Sequence, residues 1–119
     1  MRTLVVLSLL LNLGVLIPVC AGLLRDAPWA REAYGAPSPA RDILLAVYLT
    51  IGLLSAVLLA VQDLKLITAL LALQVIYKLL TAATVGDFAH PVVASNIGIA
   101  IFHAVTLTLI VSSPSGPFR

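Results

Sequence analysis

Four runs of the chain, at 4–24, 43–61, 64–85 and 92–111, are about 20 residues long and nearly free of charge. The first, second and fourth hold no charged residue, and the third holds Lys65 at its start and Lys78 inside. Runs of that length match the hydrocarbon thickness of a bilayer when helical. Lipid supplies no hydrogen-bond partner for an open backbone, so each run is expected to be a helix. Barrel strands would alternate polar and apolar residues, and these runs do not alternate. The expected fold is an all-α integral membrane four-helix bundle, with residues 1–119 as one transmembrane domain. Composition agrees: 61% of residues are hydrophobic and 10% charged, against about 25% charged in ordinary soluble domains.

The breaks between the runs carry turn chemistry. Loop 25–42 is long enough for a short helix at the membrane interface, within 26–34. Asp26 is expected to cap it, Pro28 to sit in its first turn and Gly35 to end it. Trp29 and Tyr34 suit the headgroup layer. Ser38 and Pro39 read as N-cap and first residue of the second helix. Only Gln62 and Asp63 separate the second and third spans, which favours a hairpin of neighbouring helices. Gly86 suits a left-handed position after the third span, and Pro91 the first turn of the fourth. The tail 112–119, with Pro114, Gly116 and Pro117, is expected to be flexible.

The first span also has signal-like features: Arg2, an apolar run, and Val19, Cys20 and Ala21 as a cleavage-like site. The run exceeds the roughly 7–15 residues of a signal h-region, which favours a retained span. Four spans put both ends on one side. Arg2, Lys65 and Arg119 on that side balance Arg25, Arg31 and Arg41 on the other, so charge alone leaves orientation tied. The signal-like start tips the expectation to cytoplasmic termini in a bacterial inner membrane.

Polar residues inside the spans are the places to look for function. Lys78, with Gln74 and Thr81 on its helix face and Tyr77 beside it, reads in two ways. It snorkels to the interface, the favoured reading, or it holds an anionic headgroup, a quinone oxygen or a partner's carboxylate. In the fourth span, Asn96, His103 and Ile110 share one face, with Thr106 beside His103. His103 is expected to be a neutral, hydrogen-bonded interior residue. The only other histidine, His90, precedes the same span, about 20 Å away along the helix, so the two do not share one haem iron within the chain. Gly52, Ala56 and Ala60 form a small-residue stripe that favours close helix packing, and Asn12 is expected to bond across helices. The lone Cys20 reads as an apolar filler and excludes disulfide and Cys-based zinc frameworks. A net charge of +2 is too small for a nucleic-acid footprint.

No nucleotide loop, nucleophile elbow or metal-spaced cluster is present in the sequence, so neither a cofactor nor an enzymatic activity is expected. The chain is similar in size to the four-helix small multidrug exporters, but its first span lacks the glutamate that family carries. Asn12 and Pro18 in the first span, Ala33, Tyr34 and Gly35 in the long loop, and Arg41 before the small-residue-rich stretch 44–60 give a layout that resembles the small four-helix DoxX-like membrane proteins. That resemblance implies a four-helix membrane fold, in a group some of whose members accompany membrane redox systems. It assigns no catalytic residue. Gln74, Lys78, Asn96 and His103 are the candidate polar contacts. The expected role is a non-catalytic accessory or structural subunit in the lipid bilayer, packed against other membrane subunits or against itself. Binding or transport of a lipophilic molecule such as a quinone or lipid is the alternative.

Overall fold

The computed structural model describes residues 1–118, and all regular structure among them is helical. The helices are α1 (Arg2–Leu24), α2 (Pro28–Tyr34), α3 (Pro39–Val61), α4 (Leu64–Val85) and α5 (Pro91–Ser112). All but α2 are long and apolar enough to cross a membrane. The protein is therefore a small integral membrane protein.

Local chemistry sets the helix ends. The Ser38 hydroxyl accepts the Arg41 N–H at 3.1 Å, and Pro39 supplies the first helical φ. That cap starts α3 four residues before the apolar run at 43. The Asp63 carboxylate accepts the amides of Lys65 at 3.0 Å and Leu66 at 3.2 Å and starts α4. Gln62, between α3 and that cap, takes φ +57°. Gly86, at φ 72° and ψ 13°, ends α4, its N–H reaching the Ala82 carbonyl at 3.1 Å. His90 caps α5, its Nδ1 accepting the Val92 amide at 3.2 Å.

The start of α2 differs from expectation. Its N-cap is Ala27, which has no side-chain cap bond, and Asp26 lies one residue earlier at φ +51°. In that conformation the Asp26 carboxylate serves two arginines instead of the helix amides. Gly35 does end α2, at φ 89°, with its N–H on the Arg31 carbonyl.

The chain packs as two compact units. One holds Met1–Ser8 and the chain from Val61 onward; the other is Leu9–Ala60. In the first, α4 packs on α5. Ile67, Leu71, Gln74, Lys78 and Ala82 form the buried face of α4, and Val93, Asn96, Ala100, His103, Thr106 and Ile110 that of α5. Steps of three and four place each set on one side of its helix. The Ser8 and Thr106 hydroxyls bond at 2.7 Å. In the second unit α1 and α3 run antiparallel: Leu23 meets Arg41, and the Asn12 amide donates to Ser55 Oγ at 3.0 Å. The Asn12 bond across helices is the one expected.

Of the small-residue stripe on α3, Gly52 lies against Leu16 of α1 and the rest faces outward. Tyr48, Ile51, Ser55 and Leu58 are its buried face, while Ala56 and Ala60 are exposed and Gly52 half-buried. Tyr48, Ile51 and Leu58 take the inner face because each buries more apolar area than a methyl group, and Ser55 is held there by its bonds to Asn12 and the Ile51 carbonyl.

Candidate functional site

Lys78 lies about 10 Å along α4 from its Val85 end. It does not snorkel. The side chain is 4% exposed, and its ammonium donates to Asn96 Oδ1 of α5 at 3.2 Å, with Nζ 5.0 Å from the Tyr77 ring centroid. An amide oxygen and a ring face lie within reach of the stem, so the cation need not travel to the interface.

The structure buries all four candidate contacts. Gln74 is 1% exposed, Asn96 6% and His103 0%. Gln74 lies one turn from Lys78 on α4, and His103 lies two turns from Asn96 on α5. Thr81 does not add to the set, because its hydroxyl donates to the Tyr77 carbonyl at 2.8 Å. His103 packs edge-on to Phe102, with centroids 6.4 Å apart. His90 is committed to capping α5.

The electrostatics of this cluster are unusual. Among the described residues, the ion pairs are Asp26–Arg31 and Asp26–Arg41, and neither involves Lys78. An ammonium has three N–H donors and Asn96 supplies one acceptor. The cation is thus stabilised by an amide dipole and a ring quadrupole rather than by a carboxylate. Such a group can donate to an anion or a carbonyl oxygen.

Comparisons with family models, with curated proteins and with solved structures give no match. Among the described residues no three His, Cys, Asp or Glu side chains gather into a metal site.

The Leu9–Ala60 unit holds a second polar centre, which sequence reasoning missed. The Arg41 side chain is buried. Its Nη1 donates to the Gly35 carbonyl at 2.8 Å and its Nη2 to the Leu23 carbonyl at 3.1 Å; Nη2 also lies 3.0 Å from Asp26 Oδ1. Arg31 Nε donates to both Asp26 oxygens at 2.9 Å. One guanidinium therefore fastens the end of α1, the end of α2 and the start of α3. The hydrogen bond from Arg31, then that from Arg41, holds the Asp26 carboxyl below its usual range against some desolvation, and Asp26 in turn raises Arg31. Two aromatic contacts complete the docking of α2. The Trp29 ring lies where a side chain on Gly22 would project, and Tyr34 meets Tyr48 edge-on at 6.1 Å. Burial raises the Tyr34 hydroxyl pKa.

One sequence signal could have found part of this. Arg41 next to a helix start, facing a loop with one acid near each end, is a weak sign of a clasp.

Proposed function

We propose that the chain is a non-catalytic accessory subunit that packs within a larger assembly of the bacterial inner membrane, both termini cytoplasmic. The observation that carries this reading is the exposed small-residue side of α3. Ala56 and Ala60 lie uncovered, one and two turns beyond Gly52, while Asn12 of α1 and Ser55 of α3 bond to each other within the chain. Small residues on an outer face let another helix backbone approach closely, which a lipid tail does not require. The layout resembles that of DoxX-like proteins, some of which accompany membrane redox systems, and a membrane redox assembly is the kind of complex that resemblance suggests.

Gentle purification from the native membrane tests this. A stoichiometric protein partner is expected, lost on Ala56→Leu with the helix content retained. Isolation of the chain alone, under conditions that keep other membrane complexes whole, would overturn it.

A second reading, binding or transport of a quinone or lipid, is favoured by one observation. The buried Lys78 ammonium has donors beyond the one Asn96 accepts. Solvent extraction of the purified protein would then yield a lipophile that a Lys78→Met variant no longer carries.

A further inference from the structure

The end of the first unit at which α1 begins carries two surface depressions that share one side chain. One, of about 300 Å³, runs past Arg2, Val6 and Leu7. The other, of about 330 Å³, runs past Arg2, Val5, Gln62 and Leu64. Arg2 lines both. It is exposed, and no acidic side chain among the described residues pairs with it. Lys65, next to the wall residue Leu64, is exposed and likewise outside any ion pair. The acid nearby is Asp63, whose Oδ1 accepts the Lys65 and Leu66 amides as the cap of α4. Two cations therefore stand against one acid that is already engaged.

We infer that Arg2 binds the phosphate of an anionic phospholipid, whose two acyl chains occupy the two depressions that it lines. Three features select this occupant. A planar guanidinium matches a phosphate with paired hydrogen bonds. Two mostly apolar depressions that share one cation suit a ligand with one anionic head and two apolar tails. A second cation at Lys65 repels the ammonium of a zwitterionic headgroup and leaves an anionic one favoured. The inference needs the chain only to lie in a bilayer, and it stands whether or not a partner subunit exists.

Native mass spectrometry of the detergent-purified full chain tests it, using phosphatidylglycerol and phosphatidylcholine with identical acyl chains. Phosphatidylglycerol is expected to be retained several-fold better. Arg2→Gln should cut its retention about fivefold, the factor that one basic residue near a membrane surface supplies. Arg2→Lys should restore part of it, and Arg25→Gln should leave it unchanged. Val6→Trp, which fills one depression and keeps the charge, should weaken retention of the long-chain lipid. Excess inorganic phosphate should displace little of it, because phosphate competes for the guanidinium and not for the depressions. Equal retention of the two lipids, or an Arg2→Gln variant that binds like the parent, would overturn the inference. So would an equal loss in Arg25→Gln, complete displacement by phosphate, or no effect of Val6→Trp.

Discussion

A lysine stem of four methylenes could carry its ammonium most of the way to the interface, yet Lys78 turns inward to Asn96. The choice depends on what stands opposite. Asn96 is on the next helix, and the spacing of α4 alone contains no information about it. A double-mutant cycle measures the link. Asn96→Leu in the parent removes the acceptor from a buried cation and should cost about 1.5–3 kcal/mol. In a Lys78→Met background the same change should cost far less, since exchanging a buried charge for an apolar side chain of similar volume is often neutral or stabilising. Equal costs in both backgrounds, read by unfolding in mixed micelles, would show that the two side chains do not depend on each other. Asn12 is a gentler case. Its bond to Ser55 is neutral on both sides, and Asn12→Leu should lose about 0.6–2 kcal/mol by the same assay. The polarity of Gln74, Lys78, Asn96 and His103 marked them in the sequence because lipid makes polar atoms conspicuous. Their partners were not marked, because a partner is set by which helix faces which.

At the scale of elements, the helix ends written by adjacent residues were legible. Ser38 with Pro39 and Gly86 after Val85 each act within one turn, so spacing suffices to read them. Asp26 was misread for the opposite reason. As a local cap it competes with two guanidinium groups, one of them fifteen residues on, and the charged hydrogen bonds win. The docking of α2 follows from that pairing and from its two aromatic contacts. Gly22→Ala would place a methyl group where the Trp29 ring lies, so the ring must shift outward, and its emission should move to longer wavelength. An unchanged spectrum would mean that Trp29 does not rest on α1. The acid response has a definite sign. Asp26 has a lowered pKa, so its contribution is fully present above the unfolded carboxylate value of about 3.9 and fades as pH falls through the lower folded value. Trp29 emission should therefore stay constant from neutrality to about pH 5 and change only in stronger acid. Asp26→Asn should show the undocked signal at every pH. A transition near neutrality in the parent would point to a group other than Asp26.

For the molecule as a whole, four apolar helices were plain in the sequence, because bilayer thickness fixes length and lipid fixes backbone pairing. The side to which each loop belongs was far less legible, because the arginines and lysines divide evenly. With Cys20→Ala as background, a membrane-impermeant thiol reagent applied to intact cells should leave Ser115→Cys unlabelled and label Ala36→Cys. The reverse pattern would turn the protein over in the membrane without altering a helix. The Lys78–Asn96 bond also bears on how such a chain is made. During synthesis α4 leaves the ribosome before α5, so its lysine arrives at the insertion machinery while the amide that will receive it is not yet made. A lysine near the centre of a lone segment disfavours insertion by about 2.5–3.5 kcal/mol. The α4 segment thus gains a reason to wait beside the lateral gate until α5 follows, and the two enter the bilayer together as a pair.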